Sequence, residues 1–268
     1  KGAAAAALYG SRAANGAIIV TTKRGKAGNN ANITFNSTMR FDNPLRLPDF
    51  QNSYAQGGRG KFEVENSQNG WGPFIQGQEV VDFRGETTNL EAFPNNVADF
   101  YETGATIINN LALSGGNEYN DYRLSLTALN QTGIFPGSEL DRYTASFNSG
   151  MKFAQNIISR FGLNFVRTTS AGRVAQGAND PNVLTSIING LPRNIDVATL
   201  QPWISESTTG ATQLNALSPT SNNPYWVAFE NKFDTEVDRL YGNFELKYEP
   251  VFWLDFIARL GYDNVVDD

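Results

Sequence analysis

Alternation between apolar and polar side chains is the feature of this chain that most constrains its fold. Between residues 32 and 41, Ile33, Phe35, Met39 and Phe41 share one face, while the residues between them are polar or charged. The same period of two recurs at 122–128, 142–151, 160–165, 239–248 and 252–263, and a weaker run covers 107–114. Because successive side chains of a β-strand point to opposite faces, the pattern predicts seven strands of roughly 9–12 residues, each with one apolar face.

The connections between these strands differ widely in length. Two are long, from about 43 to 104 and from about 169 to 235; 132–140 is intermediate, and 115–120, 153–156 and 249–251 are short. In an antiparallel meander this order places the tight turns at one end of the sheet and the long loops at the other, a layout typical of outer-membrane barrels. The sequence therefore predicts an all-β fold, as part of a large up-and-down transmembrane antiparallel β-barrel.

A soluble β-sandwich is the alternative, because its strands also alternate. Two features favour the barrel. Sandwich strands usually have about 5–6 residues, roughly half the length predicted here. Aromatic residues also lie near the strand ends on the apolar face, as in the interfacial girdles of barrels, namely Phe41, Tyr122, Tyr143, Tyr248, Phe252 and Tyr262.

Composition excludes several functional classes. The chain contains no cysteine and no histidine, which excludes disulfides, thiolate nucleophiles, Ser-His-Asp triads and Cys/His zinc sites. A formal net charge of −6 argues against nucleic acid as a partner. The carboxylate clusters Asp234/Glu236/Asp238 and Asp263/Asp267/Asp268 lack EF-hand spacing, and the glycine-rich run 57–61 lacks phosphate-loop spacing. We therefore expect no enzyme activity, no cofactor and no metal site.

The first 28 residues follow a different pattern. Residues 3–8 are mostly alanine and favour one or two helical turns, residues 17–22 read as a short buried strand, and 23–30 read as a basic linker. No signal peptide is evident at the start. Bacterial barrels also have an even number of strands, and a lone sheet of seven strands would leave two unpaired edges in lipid. We therefore expect this chain to be an internal segment, with more strands following or supplied by other chains.

Several motifs resemble one protein family. The run from Leu8 to Lys26, with the core Gly16-Ala17-Ile18-Ile19-Val20-Thr21-Thr22, closely resembles the end of the plug domain in SusC/RagA-type TonB-dependent transporters. The resemblance continues in the family's order through 54–57, 71–73, 113–118, 122–125, 133–134, 191–193 and 223–226. The likeness covers nearly the whole chain, and the plug-end motif is the most specific part.

The resemblance implies a fold and a function. Such transporters are outer-membrane importers of Bacteroidetes-type bacteria, with a barrel of about 22 strands and a plugged lumen. They take up oligosaccharides or peptides, with a SusD-like lipoprotein as a lid and TonB as the energy-coupling partner. On this basis residues 1–28 would be the C-terminal end of the plug with its linker. Residues 29–268 would be the first seven or so barrel strands with their extracellular loops.

Aromatic and arginine side chains of the long loops are candidates for contact with a ligand or with the lid. An aromatic plane stacks on the apolar face of a sugar ring, but protein interfaces are enriched in the same residue types. We favour packing or a lid interface over direct substrate contact for these residues: Trp71, Phe74, Arg173, Arg193, Trp203, Tyr225 and Trp226.

Charged residues on the polar face of the strands are candidates for contact with the plug. Hydrogen-bonded and charged contacts suit a plug that must later move, because a dry apolar interface is harder to separate. The candidates are Arg40, Arg123, Arg142, Arg160, Arg239, Glu245, Asp255 and Arg259. The leading hypothesis is thus TonB-dependent import across the outer membrane. The alternatives are a structural or secretion-associated barrel component and a soluble adhesive β-domain.

Overall fold

The computed structural model describes residues 28–65, 69–173, 191–205, 212–215 and 222–268, with isolated residues at 7, 10, 13, 15, 16, 23 and 187; for 28–30 and 205 it describes the backbone alone. The helical turns predicted at 3–8, the strand predicted at 17–22 and the plug-like motif lie outside this part of the chain, apart from those isolated positions. In chain order the elements are β1 (Gly28–Asp42), β2 (Glu79–Val81), β3 (Thr87–Asn89), α1 (Asn96–Phe100), β4 (Gly104–Gly116), β5 (Asn120–Thr132), β6 (Glu139–Ala154), β7 (Ile157–Arg173), a 3₁₀ helix (Val197–Leu200), β8 (Ile204–Ser205), β9 (Thr212–Gln213), α2 (Pro224–Phe229), β10 (Phe233–Val251) and β11 (Leu254–Asp267).

Seven long strands form a single antiparallel meander within the described residues. Their order in the sheet is β1-β4-β5-β6-β7-β10-β11, so each long strand pairs with the next one along the chain. Local chemistry closes the turns: the Asn117 side chain accepts hydrogen bonds from the backbone N–H groups of Tyr119 (2.8 Å) and Asn120 (2.9 Å). The predicted all-β architecture is confirmed. No helix in the described part of the chain is long and apolar enough to cross a bilayer.

The strands are longer than the alternation predicts. They contain 13 to 19 residues. The largest extensions are at the ends near the second long loop, where β7 continues to Arg173 and β10 begins at Phe233. The second long connection therefore lies between Arg173 and Phe233, rather than over the predicted 169–235, and the first lies between Asp42 and Gly104. In these extensions, such as Thr168-Thr169-Ser170, both faces are polar. Backbone pairing can thus continue beyond the alternating pattern, because a strand segment that is exposed to water on both faces need not alternate apolar and polar side chains.

The register joins the apolar side chains of all seven strands into one continuous surface. One aligned row on six of the strands runs Phe35, Leu111, Leu126, Ala145, Phe165 and Leu240, and Tyr262, level with Gly242, continues the surface on β11. The opposite face carries most of the arginines and most of the other polar residues; Arg167 is an exception, on the same face as Phe165. We call the first the apolar face and the second the polar face.

The border of the apolar face on the side of the long loops, which we call the upper border, is oblique to the strands. Phe41 marks this border on β1 and Tyr262 marks it on β11, yet Tyr262 is aligned through the ladder with Ile33. The border therefore drops by the eight residues between Phe41 and Ile33 across six strand-to-strand steps. With a rise of about 3.3 Å per residue and a spacing of about 4.8 Å between strands, the strands tilt by about 40°. This tilt is the value expected for an outer-membrane barrel.

The described residues of the two long loops fold together into one body that we call the loop lobe, comprising 43–65, 69–103, 187, 191–205, 212–215 and 222–232. Its hydrophobic core combines Phe100 of α1, Leu200 of the 3₁₀ helix and Val227 of α2, all fully buried. Buried amides join the segments: Asn96 accepts a hydrogen bond from the Val197 N–H (3.0 Å). The sequence does not predict this core, because short helices in a loop carry no long periodic pattern.

Candidate functional site

All eight charged residues predicted to face the plug lie on the polar face of the sheet. The ladder is regular around these positions, and its register places them on the same side: Arg40, Arg123, Arg142, Arg160, Arg239, Glu245, Asp255 and Arg259. Contact with a plug stays a prediction.

The charges of β10 and β11 are largely paired with each other. Glu245 lies between two arginines, 3.5 Å from Arg160 and 2.7 Å from Arg259. Lys247 lies 3.0 Å from Asp255, and the Arg239 side chain donates to Asp263 on the neighbouring strand. These side chains satisfy one another across the strands, so this part of the polar face has little free charge to offer a partner.

The part of the polar face formed by β5 and β6 is different. Arg142 donates through Nε to the Thr168 hydroxyl (3.1 Å). Among the described residues, no carboxylate lies within ion-pair distance of Arg142 or of Arg123, whereas Arg40 has Asp42 at 3.0 Å. Arg123 and Arg142 lie six residues apart along the β5–β6 ladder, and we call the part of the polar face that carries these two unpaired cations the cationic sector. Such a sector can attract carboxylates of a neighbouring domain or ligand.

Trp71 and Phe74 lie on the surface of the loop lobe. Trp71 is 68% exposed and Phe74 is 50% exposed, and both rings pack against Tyr54, each with a centroid distance of 5.6 Å. Close backbone crossing holds this cluster in place: a Cβ on Gly72 would lie 2.0 Å from the Gln56 carbonyl oxygen. The three rings form an exposed aromatic platform that suits contact with a ligand or another protein.

Most candidates in the second loop pack inside the lobe. Arg193 is only 7% exposed, stacks on Phe50 at 4.8 Å, and burial lowers its pKa. Tyr225 is 4% exposed, and burial raises its pKa. Trp203 stacks on Phe229 and donates to Glu230 (3.0 Å).

The remaining two second-loop candidates differ in position. Trp226 is half-buried in α2. Arg173, predicted to lie in the loop, is instead the exposed last residue of β7, because that strand extends further than its alternating pattern.

Sequence reasoning missed the buried amides that hold the loop lobe together. Asn223 is fully buried; it caps α2 by accepting from the Tyr225 N–H (2.8 Å) and donates to the carbonyls of Leu200 (3.0 Å) and Leu214 (2.7 Å). Asn194 and Gln56 join the two long loops through a pair of hydrogen bonds. The signal for Asn223 was available, since asparagine followed by proline is typical of a helix start.

A cleft of about 240 Å³ lies in the loop lobe beside the β2–β3 hairpin. Its walls combine Phe83 and Phe93 with Asp82, Glu91 and Asp196. Burial raises the pKa of Asp82, but hydrogen bonds from the Glu86 and Arg84 N–H groups and the Arg84 side chain lower it, and its net pKa is below the usual 3.8.

The other sequence features take up structural roles. In the cluster at 234–238, Glu236 and Asp238 pair with Arg167, and Asp234 lies 3.5 Å from Lys232. No group of carboxylates among the described residues is arranged to hold a metal ion. The run 57–61 forms a tight turn, in which the Lys61 N–H donates to the Gly58 carbonyl, and the described residues 62–65 after it form no helix of the kind that follows a phosphate loop.

The tilted meander, its continuous apolar face and its charged inner face define a transmembrane β-barrel of the bacterial outer membrane. No family model matches the chain. It is 27% identical to TonB-dependent receptor P3 of Formosa agariphila, over 98% of this chain and 24% of that protein. It is 28% identical to TonB-dependent receptor SusC of Bacteroides thetaiotaomicron, over 61% of this chain and 15% of that protein.

Solved structures give the same result for the fold. The RagAB peptide importer in the open-open state matches with a TM-score of 0.67 at 19% identity, over 99% of this chain and 31% of the matched chain. A structure of the RagAB peptide transporter matches with a TM-score of 0.67 at 18% identity, over 100% of this chain and 31% of the matched chain. The resemblance to SusC/RagA-type TonB-dependent receptors, and with it the outer-membrane location, is confirmed. The chain spans about a quarter or less of the curated relatives that it matches, and these are named as receptors rather than enzymes.

Proposed function

We propose that this chain is part of a TonB-dependent importer that carries oligosaccharides or peptides across the outer membrane. The similarity to TonB-dependent receptors over 98% of the chain supports this function. In the proposed mechanism the sheet forms part of the barrel wall. A plug occupies the lumen on the polar face, and TonB-driven displacement of the plug opens a path for the captured ligand.

The cationic sector of the polar face is the observation that carries the proposal furthest. Arg123 and Arg142 have no carboxylate partner among the described residues, while the charges of β10 and β11 are paired. Charge-assisted hydrogen bonds from these arginines would hold a plug in register. Such bonds can be exchanged for water when the plug moves, whereas a dry apolar interface would resist separation.

The loop lobe supports a second part of the proposal, a SusD-like lipoprotein lid. The platform of Tyr54, Trp71 and Phe74 is exposed at the end of the barrel that carries the long loops. Exposed aromatic residues of this kind commonly anchor protein interfaces. Because Arg193 and Tyr225 are buried, the platform and the cleft are the accessible sites in the lobe that we consider for binding. In this proposal the platform contacts the lid, and the ligand is captured between the lid and the lobe.

A structural or secretion-associated barrel component is the second candidate function. It would use the same wall and loops but would not need ligand capture coupled to energy. Uptake of labelled oligosaccharides or peptides by cells distinguishes the two. Import predicts uptake that requires the protein and stops when an uncoupler dissipates the proton gradient. Uptake that persists without the protein, or that is indifferent to the uncoupler, would contradict active import.

Charge reversal tests the role of the polar face. Arg123→Glu combined with Arg142→Glu should weaken plug retention and increase passive leak of small antibiotics through the barrel. The matched control is Arg46→Glu, at an exposed loop position. Leak of the double variant equal to that of the control would contradict plug contact at the cationic sector.

A further inference from the structure

The apolar face is indented by a groove of about 370 Å³. The groove forms because two small side chains, Ala128 and Ala145, lie on adjacent strands. The larger side chains of Phe35, Tyr143 and Phe165 form its walls. A row of larger side chains at these positions would have filled the depression. The groove thus depends on the small side chains at these two positions.

The groove begins at the upper border of the apolar face and descends from it. Tyr143 and Phe165 lie on this border, whereas Phe35 lies six residues below Phe41, the border residue of its own strand. At about 3.3 Å per residue and a tilt of about 40°, the groove descends roughly 15 Å. That depth equals half of the bilayer hydrocarbon, which is about 30 Å thick. The groove therefore runs through the leaflet on the side of the long loops, the outer leaflet.

A polar pair interrupts the apolar face along this path. The Ser37 hydroxyl donates to Asn109 Oδ1 (2.8 Å), and Asn109 also lines the groove between Ile107 and Leu111 of its strand. A polar group facing hydrocarbon is unfavourable unless it is hydrogen-bonded. Among the described residues, none accepts a hydrogen bond from the side-chain N–H groups of Asn109. The groove therefore offers hydrogen-bond donors at a depth where lipid chains are normally apolar.

Polar side chains form a belt directly above the groove. Asn130 donates to Asp141 (2.7 Å), and Arg167, aligned with Tyr143, donates through Nε to Asp238 (2.7 Å). The Asp238 carboxylate accepts from both Nε and Nη2 of Arg167, and no described residue accepts from Nη1. The belt lies at the level of lipid headgroups and offers both hydrogen-bond acceptors and a guanidinium group.

We propose that the groove binds one hydroxylated acyl chain of lipid A, with the phosphorylated sugar headgroup held at the belt. This inference rests on the outer-membrane location and not on the import function. Lipid A is the lipid of the outer leaflet, which matches the depth of the groove. The hydroxyl of a 3-hydroxyacyl chain accepts from Asn109, which accounts for a polar pair on a lipid-facing surface. Arg167 Nη1 faces the phosphate, and the carboxyl of Asp141 accepts from sugar hydroxyls.

Groove-filling substitutions test the proposal in the native protein purified from outer membranes. Ala128→Leu combined with Ala145→Leu fills the groove from the lipid side, where added side chains disturb no internal packing. Ala258→Leu is the matched control, because Ala258 is an exposed alanine of the same face on β11, outside the groove. After a detergent wash, lipid A retained per protein is measured as 3-hydroxy fatty acid by mass spectrometry. Loss of contact with about two methylene groups corresponds to roughly tenfold weaker retention in the double variant.

The outcomes separate this proposal from its competitors. Wild type and Ala258→Leu should retain lipid A, the double variant should lose it, and Asn109→Leu should reduce retention while leaving the groove open. Equal retention in all variants would overturn the proposal. Retention of phospholipid in place of lipid A would also overturn it. A change from dimer to monomer in the double variant, without a change in lipid, would show that a second copy occupies the groove.

Discussion

Asn223→Ala is the substitution that most directly tests how the loop lobe is held together. The Asn223 side chain caps α2 and donates to two buried carbonyls, those of Leu200 and Leu214. Loss of the cap costs about 1 kcal/mol, and each unpaired carbonyl costs about 1 kcal/mol more. The total of about 3 kcal/mol corresponds to more than a hundredfold increase in local opening.

Hydrogen–deuterium exchange of α2 measures this opening. The Val227 N–H, bonded to the Asn223 carbonyl at 3.0 Å, and the Glu230 N–H, bonded to the Trp226 carbonyl at 2.8 Å, report it directly. Asn222→Ala is the matched control, because Asn222 accepts one hydrogen bond, from Gln213. The control should raise exchange by about fivefold at about 1 kcal/mol. Exchange in Asn223→Ala no faster than in Asn222→Ala would refute the reasoning.

Three further predictions concern the first long loop. Gly72→Ala should destabilise the loop by about 2 kcal/mol, because its Cβ would overlap the Gln56 carbonyl, and protease cleavage within 43–103 should accelerate. The β2–β3 hairpin should lose stability in acid: the pKa of Asp82 is lowered on folding, so its contribution is present above the unfolded value near 3.8 and is lost as the pH falls through the folded value. If the proposed lid contacts the platform, Trp71→Ala should weaken co-purification of that lipoprotein while leaving loop proteolysis unchanged, because this side chain is exposed.

Each of these predictions has a control and an opposing result. Gly58→Ala should be harmless, since nothing lies within 4 Å of its Cβ position, and equal cleavage of the two glycine variants would contradict the overlap argument. Asp82→Asn should flatten the acid dependence of hairpin exchange, and an unchanged profile would exclude Asp82 as its origin. A Trp71→Ala protein that binds the lid as tightly as wild type would remove the platform from the proposed interface.

The barrel wall could be predicted from the sequence because its physics is local. Every second side chain of each strand must face lipid, so the alternation of apolar and polar residues indicates the fold directly, as in 32–41 and 142–151. The strand ends could not be predicted, because residues such as Thr168 to Ser170 lie beyond the apolar border, where nothing enforces alternation. The tilt also needed the structure, since only the register relates Phe41 to Tyr262.

The loop lobe was less predictable because its contacts join distant segments. Arg193 and Tyr225 are residue types that suit either a ligand site or a core, and only their burial distinguishes these roles. Gln56 and Asn194 meet across 138 positions of sequence, and no periodicity signals such a pair. The cationic sector was predicted only in part: alternation placed all eight charged residues on one face, but which of them are paired depends on the strand register.

Single-cysteine labelling along β6 tests the central claim, that the apolar face lies in the lipid of the outer membrane. The chain contains no cysteine, so each introduced cysteine places a single spin label in this chain. At positions 143 to 151, odd-numbered labels should collide with lipid-soluble oxygen and even-numbered labels with a water-soluble nickel chelate. Equal access of the water-soluble reagent to both sets of positions would contradict a transmembrane barrel wall.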